Sequence, residues 1–292
     1  MARPPSVIVA SDGSPSARAA VTLAGAIPWS DDTRAVGVVA IKTVPTTGLG
    51  RLYRAVLVKA YRAEARRLEE VLRRRFGVAR VESVAMQPVA AILSERLKHG
   101  AKTIIVGSRG LGLLGRFPLG SVSRRLVREA PCTVIIAKRS VREVRRLAIA
   151  IDGSAASRRA VAFVERLNAP PRGRVVLIGV VPPVPVPLTG RAPGYVRAEV
   201  TRHVADTYRR RESALREHLR RASERLSEVG WTVSVDLRGG TPVVEILRSA
   251  SESRADLLAC GARATRGLDR LLLGSVADGL VSRSPMSVLA AK

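Results

Sequence analysis

Two short segments of the chain combine glycine and serine, the first of them with a carboxylate, in the manner of loops that hold phosphate groups. Residues 11–14 read SDGS, and residues 107–110 read GSRG and are followed, after nine further residues, by GSVS at 120–123. Glycine lets a backbone approach a ligand closely, and the N-terminus of a helix offers unpaired N–H groups to phosphate oxygens. The hydroxyls of Ser121 and Ser123 add donors in the same turn. The two segments therefore predict a phosphate-containing ligand.

Each segment also has a purely structural interpretation, which the residues alone leave open. A glycine-rich connection can be only a turn, Asp12 can be only the N-cap of the helix that follows it, and Arg109 can be only an exposed loop residue. The spacing from Gly115 to Gly120 resembles a P-loop, but Ser121 stands where that motif requires lysine. What favours a ligand is that both segments follow predicted strands.

Strands must position both segments. Residues 7–10 and 103–106 are short apolar runs bounded by turn residues, typical of buried strands, and helical patterns follow at 17–26 and 121–129. Continuous apolar strands that alternate with helices indicate a parallel, doubly wound α/β fold. Such sheets bind ligands at the carboxyl ends of their strands, where the strand order reverses. The two segments are therefore expected to meet at one crevice.

The chain contains this unit twice. Asp12 aligns with Asp152 at an offset of 140 residues, and Gly107 aligns with Gly261 at an offset of 154. The 14 additional residues of the second copy are expected in its proline-rich loop at 182–194 and in the helix that follows. A duplication of this kind predicts tandem domains. We expect these domains at 1–140 and 141–292.

Composition excludes several classes of protein. The 292 residues are 46% hydrophobic, enough for a core in each of two domains, so wholesale disorder is excluded. No apolar run reaches the roughly 20 residues of a membrane span, and prolines interrupt the most apolar stretch, at 175–188. Cys132 and Cys260 are the only cysteines and provide no disulfide framework. We expect a cytoplasmic protein without a membrane segment.

The net charge of +26 leaves an alternative function open, that of a nucleic-acid or polyanion binder. Arginine clusters such as 73–75 and 209–211 fall on predicted helices, where a solvated face is the simpler interpretation. A pI near 11.6 nevertheless predicts non-specific binding of nucleic acid at low salt. Aromatic residues make up only 3% of the chain, so platforms for stacking single strands are scarce.

The sequence shows no catalytic or metal-binding set. No Ser/His/Asp or paired-carboxylate arrangement occurs at matching positions of the two copies, which argues against a dedicated hydrolase. His99, His203 and His218 lack metal-ligand spacing. We expect them to be surface histidines.

The combined motifs resemble the universal stress protein (UspA) superfamily, in its tandem form. The resemblance rests on the strand that ends in Asp-Gly-Ser at 12–14 and on the Gly-x2-Gly-x9-Gly-Ser pattern from Gly107 to Ser121. It implies two tandem doubly wound domains, each with a five-stranded parallel sheet of order 3-2-1-4-5. It also implies ATP, or AMP or ADP, between strands one and four, with or without Mg²⁺. The implied role is regulatory, in stress response, with at most slow ATP turnover.

By position, the resemblance assigns residues of the first copy to the nucleotide. Ala10, Ser11 and Asp12 would line the adenine and ribose side, and Ile41 would offer its backbone to the adenine. Eight residues would surround the phosphates: Val106, Gly107, Arg109, Gly110, Gly120, Ser121, Val122 and Ser123.

The second copy retains only part of this set, which implies a weaker second site. That site would be formed by Asp152, Val180, Gly261, Gly274 and Ser275. Ala264 replaces Gly110, where a positive φ or a close backbone approach is expected. Ala277 replaces Ser123 and so removes a hydroxyl that could donate to a phosphate oxygen.

The resemblance also predicts how the copies associate. Strand five of each copy, at 133–137 and 287–290, is a sheet edge in the implied strand order, and exposed edges invite pairing. Members of the family commonly associate through these edges. The copies are therefore expected to form an intramolecular pseudo-dimer, and a homodimer of whole chains stays open.

Overall fold

Strands and helices alternate along both halves of the chain. The structure, a computed structural model, describes residues 6–40, 49–77, 79–84, 86–110, 119–185, 194–262 and 273–292. The first half contains β1 (Ser6–Ala10), α1 (Pro15–Ala26), β2 (Arg34–Ala40), α2 (Leu49–Phe76), β3 (Ala79–Val84), α3 (Pro88–Lys98), β4 (Thr103–Gly107), α4 (Ser121–Glu129) and β5 (Thr133–Ala137). The second half contains β6 (Arg146–Ile151), α5 (Ala155–Glu165), β7 (Arg174–Val181), α6 (Gly194–Glu228), β8 (Thr232–Gly239), α7 (Pro242–Glu252), β9 (Leu257–Gly261), α8 (Ser275–Arg283) and β10 (Ser287–Ala291).

These strands form one sheet, in the order β3-β2-β1-β4-β5-β10-β9-β6-β7-β8. Pairing is parallel throughout each half. Each half therefore has the predicted order 3-2-1-4-5, and the fold is confirmed as two tandem doubly wound α/β domains. β1 lies between β2 and β4, and β6 lies between β7 and β9. Each half therefore has one point, beside its first strand, where the strand order reverses.

The two halves join where β5 and β10 pair in antiparallel fashion. Ile135 lies opposite Leu289, and the pairs on either side, Ile136 with Val288 and Val134 with Ala290, mirror each other. Leu289 is the counterpart of Ile135 at the offset of 154, so a pseudo-twofold axis passes between them. The tandem domains thus fit an intramolecular pseudo-dimer joined at the expected edge.

Two lysines cross this junction symmetrically. Lys138 follows β5, and its ammonium donates to carbonyls at the end of α8, the closer being that of Ser284 at 2.6 Å. Lys292 follows β10 and donates to carbonyls at the end of α4, the closer being that of Ala130 at 2.6 Å. A cation at a helix C-terminus interacts favourably with carbonyls that have no partner within the helix. Each half therefore caps a helix of the other half.

Helices cover both faces of the sheet. The core on one face takes in α1, α2, α5 and α6, the core on the other takes in α3, α4, α7 and α8, and each core runs through both halves. Trp29 meets Phe163 edge to face, with ring centroids 6.0 Å apart, and adds an aromatic contact between the halves. In the part of the chain that the structure describes, no helix is both long and apolar enough to cross a membrane.

The additional residues of the second half lie partly in its longest helix. α6 has 35 residues where its counterpart α2 has 28. Residues 186–193 of the proline-rich loop lie outside the described residues. Downstream the two halves match again, since Pro88 begins α3 and Pro242 begins α7 at the offset of 154.

Candidate functional site

The first half has a cavity of about 480 Å³ at the carboxyl ends of β1 and β4. It opens where the connections that leave these two strands diverge, because α1 packs on one face of the sheet and α4 on the other. Its volume lies within the range of about 300–1,000 Å³ that is typical of small-molecule sites.

The described residues assigned from the resemblance all line this cavity. They are Ala10, Ser11, Asp12, Val106, Gly107, Arg109, Gly110, Gly120, Ser121, Val122 and Ser123. Ile41, the remaining residue, lies outside the described residues.

The loop after β1 holds its own shape. The Asp12 carboxylate accepts a hydrogen bond from the backbone N–H of Ser14 at 3.0 Å, and Gly13 has a φ of +78° that favours glycine. The N-cap of α1 is Ser14, whose hydroxyl accepts from the N–H of Ala17 at 3.0 Å. The interpretation of Asp12 as an N-cap is therefore wrong, and Asp12 both shapes the loop and faces the cavity.

Gly107 is required by the packing of α1. A Cβ at this position would lie 2.4 Å from Ser16 Oγ and 2.5 Å from its carbonyl carbon. The Ser16 hydroxyl also donates to the carbonyl of Arg109 and accepts from its N–H, each at 2.8 Å. Ser16, which sequence reasoning missed, thus ties the glycine loop to α1.

Of the two reasons predicted for glycine at position 110, a positive φ or a close approach, the structure excludes the first. The φ of Gly110 is outside the left-handed region, so no positive φ explains the glycine. A Cβ would instead lie 2.7 Å from the Oδ2 atom of Asp12. A side chain at position 110 would therefore displace the Asp12 carboxylate. Ala264, the counterpart in the second half, lies outside the described residues.

Ser123 has a structural partner rather than an open donor. Its buried hydroxyl donates to the carbonyl oxygen of Gly107 at 2.6 Å. A hydroxyl has one proton to donate, so this bond and a bond to a phosphate oxygen exclude each other. The expectation that Ser123 donates to phosphate stays a prediction, and in this structure its hydroxyl links α4 to β4.

The N-terminus of α4 opens on the cavity. Its N-cap, Gly120, makes no side-chain capping bond, and the first turn carries no acidic residue. The first N–H groups of a helix have no partner within it. Arg124, one turn after Gly120, also lines the cavity. Sequence reasoning did not assign Arg124 to the site, although its i+3 spacing from Ser121 is a signal that could have found it.

The opposite side of the cavity is largely apolar. α3 contributes Pro88 and Ile92, β2 contributes Val38 and Ala40, and α2 contributes Tyr61. None of these residues belongs to the glycine motifs, so sequence reasoning missed them. Together they provide a wall that suits a flat, weakly polar group.

The second half has a smaller cavity, of about 260 Å³, at the equivalent place. Asp152, Val180, Gly261, Gly274 and Ser275 all line it. Cys260 lines it too, and burial raises the pKa of this thiol to about 12. The thiol is therefore neutral and unreactive at physiological pH, as expected of an apolar filler.

The helices α4 and α8, which begin at the two cavities, differ in charge at one equivalent position, although only Arg124 of the two residues lines its cavity. Asp278, in the first turn of α8, occupies the place of Arg124, at the offset of 154. Its carboxylate lies 3.6 Å from Arg128 of the first half. A carboxylate at this helix N-terminus opposes an anionic ligand where a guanidinium attracts one.

The expectation for the histidines is only partly met. His203 is exposed on α6. His99 and His218 are half-buried, and His99 packs beside carboxylates of α3 and β3. The surface expectation is therefore wrong for these two residues.

Comparison with known proteins finds one family in both halves. The model of the universal stress protein family matches residues 5–138 and again residues 143–292. A universal stress protein of Thermus aquaticus is 32% identical over 134 residues, which cover 45% of this chain and 97% of the relative.

Solved structures show the same fold along the whole chain. A universal stress protein from Archaeoglobus fulgidus superposes with a TM-score of 0.67 at 20% identity, covering 98% of both chains. A putative universal stress protein from Pseudomonas aeruginosa gives a TM-score of 0.64 at 18% identity, covering 99% of this chain and 93% of the other. With both halves matched by the family model, the chain belongs to the universal stress protein family and carries its domain twice in tandem.

Proposed function

We propose that the first domain, 1–140, binds an adenine nucleotide (ATP, ADP or AMP) in the crevice between β1 and β4. One observation carries the proposal: the open N-terminus of α4, two arginines and the Asp12 loop surround one ligand-sized cavity. Family membership supports a stress-response role, and we infer that the nucleotide serves as a regulatory ligand with at most slow turnover. A cytoplasmic location accords with the two free, buried cysteines.

The phosphates are assigned to the α4 side of the cavity. Backbone N–H groups at a helix N-terminus, together with the helix dipole, favour an anion there. Arg109 and Arg124 line the same cavity, and a guanidinium group can donate two parallel hydrogen bonds to phosphate oxygens. Mg²⁺, where it accompanies the nucleotide, would bind oxygen ligands, including phosphate oxygens.

The base and ribose are assigned to the other side. The wall formed by β2, α2 and α3 offers apolar surface to a flat ring. Ser11 lies at the end of β1, and its hydroxyl donates to Glu64 at 2.6 Å. Asp12 is then the carboxylate nearest the ribose hydroxyls in this assignment.

A nucleic-acid-binding function has less support. Many arginines of the long helices form ion pairs with glutamates one turn away, such as Arg73 with Glu69 and Arg216 with Glu212. Such pairs are the solvated faces that the sequence suggested. The charge then favours weak, salt-sensitive contact with polyanions rather than a dedicated interface.

Isothermal titration calorimetry with ATP, ADP and AMP tests the proposal on the full chain. Arg124→Glu should weaken nucleotide binding at least tenfold, because a charge-assisted hydrogen bond contributes about 1.5–3 kcal/mol. Arg125→Glu is the matched control, since Arg125 is the neighbour on the same helix, pairs with Glu129 and does not line the cavity. The control makes the same change in net charge and should keep affinity within about twofold.

Two results would contradict the proposal. Absence of binding heat from the wild-type chain with all three nucleotides would refute the function itself. Equal losses in Arg124→Glu and Arg125→Glu would show that the chain responds only to net charge, and would refute the placement of phosphate at α4.

A further inference from the structure

Three ligand-type side chains converge at the edge of the first half, away from the cavity. Glu95 lies in the last turn of α3, His99 is the C-cap of that helix, and Glu82 lies on the edge strand β3. His99 Nε2 lies 3.2 Å from a Glu95 oxygen and 3.9 Å from a Glu82 oxygen, and the three ligand atoms are all within 4.8 Å of one another.

Two of these atoms are buried and make no hydrogen bond of regular geometry, although the Lys98 ammonium forms an ion pair with one of them, Glu95 Oε2. Among the described residues, only five side-chain nitrogen or oxygen atoms are buried and make none, and Glu95 Oε2 and His99 Nε2 are two of them. Glu95 is only 6% exposed. Burial of polar atoms without hydrogen bonds is costly, so a pair that faces each other calls for an explanation.

We propose that Glu82, Glu95 and His99 bind a divalent transition-metal ion of the zinc class. Zn²⁺ lies about 2.0–2.2 Å from such nitrogen and oxygen ligands, which places tetrahedral ligand atoms about 3.4 Å apart. The distances of 3.2 and 3.9 Å bracket that separation. Three protein ligands leave a fourth position for water, and one imidazole with two carboxylates suits a borderline cation.

An ammonium group now bridges the same two carboxylates. Lys98 Nζ lies 3.2 Å from Glu95 Oε2 and 3.4 Å from Glu82 Oε1. Its side chain is 51% exposed, so it can swing into solvent at little cost when a dication takes its place. Arg80, which lies 2.8 Å from Glu82, is still more exposed and can leave in the same way.

The equivalent positions of the second half carry a different set of side chains. Asp236 stands where Glu82 stands, but serines replace Glu95 and His99, at 249 and 253. Asp236 accepts from Ser249 Oγ at 2.6 Å and from Arg238 Nε at 2.9 Å. An internal guanidinium thus satisfies this carboxylate, whereas the first half has Val84 at the position of Arg238. Only the first half combines the imidazole with two carboxylates.

The cluster is separate from the nucleotide crevice. Pro88, at the start of α3, lines that crevice, whereas His99 follows the last residue of the same helix. The carbonyl of His99 accepts from Ser6 Oγ at 2.9 Å, at the first residue of β1. A metal here would fasten the edge strand β3 to α3 and would stabilise the fold by preferential binding to the folded state.

Competition of the full chain with a chromophoric chelator for Zn²⁺, without nucleotide, tests the proposal. The wild-type chain should bind one equivalent, and His99→Asn and Glu82→Gln should each weaken that binding about tenfold or more. Lys98→Ala should tighten it, because the competing cation is removed. His203→Asn, which changes an exposed histidine of α6, is the matched control and should bind like the wild type.

Nuclear magnetic resonance of the imidazoles gives a second measurement that does not depend on affinity. In the Zn²⁺-loaded chain one of the three histidines should stop titrating with pH, and His99→Asn should remove that signal. No competition by the wild-type chain, or equal binding by the wild type and a folded His99→Asn variant, would overturn the proposal. Neither result bears on nucleotide binding, since the two sites share no residue.

Discussion

Replacing Lys138 and Lys292 by methionine tests how the two halves are held together. Each ammonium reaches across the junction to the end of a helix in the other half, and methionine keeps the length of the side chain without the charge. Burial lowers the pKa of each ammonium from its ordinary value of 10.5 to about 8, and the positive charge of Arg109 adds to this at Lys138.

The sign of the pH dependence follows from these pKa values. Between pH 8 and pH 10.5 the folded chain binds fewer protons at these lysines than the unfolded chain does, so the free energy of unfolding rises with pH across this window. The full difference in pKa corresponds to about 3 kcal/mol per lysine. Because the helix carbonyls favour the charged form, we expect a rise of about 1–3 kcal/mol per lysine.

Urea unfolding of the wild type and of the Lys138→Met, Lys292→Met double variant at about pH 7 and about pH 10 measures this contribution. The double variant lacks both titrating groups, so the wild type should gain stability relative to it as the pH rises. Lys59→Met, at an exposed lysine of α2, is the control and should leave the pH dependence of the wild type unchanged. The reasoning would be refuted if the difference in the free energy of unfolding between wild type and double variant stayed constant with pH, or if the wild type lost stability relative to the variant as the pH rose.

Two further predictions concern the crevices. Ser123→Ala should lower the free energy of unfolding by about 1–3 kcal/mol, because it leaves the Gly107 carbonyl without its partner, and should keep nucleotide affinity within about threefold. Unfolding and calorimetry together check this, and a large loss of affinity at unchanged stability would instead identify Ser123 as a phosphate donor. Asp278→Arg should raise the nucleotide stoichiometry from about one toward two per chain in the same titration. Arg128→Ala breaks the same ion pair without adding a cation, so an identical rise in that variant would contradict the electrostatic argument.

The elements of the fold were predictable because local signals and the hydrophobic pattern agree. Helix α4 begins directly after Gly120 and ends two residues before Pro131. The sequence predicts these bounds correctly, at 121–129. The strands on either side are uninterrupted apolar runs, which occur where both faces of a sheet are covered. Because the two copies lie in one chain, their equivalent edge strands β5 and β10 were expected to pair with each other, as they do.

The direction in which side chains point was not predictable from the motifs. The pattern places Ser123 near the ligand, but only the packing of α4 on β4 shows that its hydroxyl turns to a carbonyl. Arg124 and Tyr61 lie outside the motifs and reach the cavity only through the docking of their helices. The spacing of Glu95 and His99 is visible on α3, whereas Glu82 joins them through a strand that is distant in sequence.

Comparison of equivalent residues in the two halves distinguishes those that the fold requires from those that a ligand requires. Gly107 and Gly261 persist in both because a Cβ at either position would strike the backbone of the helix that packs on it. Asp12 and its counterpart persist because each fixes the loop after the first strand by accepting from a backbone N–H. Retention of these motif residues in the second half therefore reflects loop and helix packing and is no measure of nucleotide binding. The informative positions are those near the crevice that do not support the fold: Arg124 lines the first crevice, whereas its counterpart Asp278 is not among the residues that line the second. We therefore expect the second crevice to bind phosphate more weakly than the first, although it keeps these structural residues.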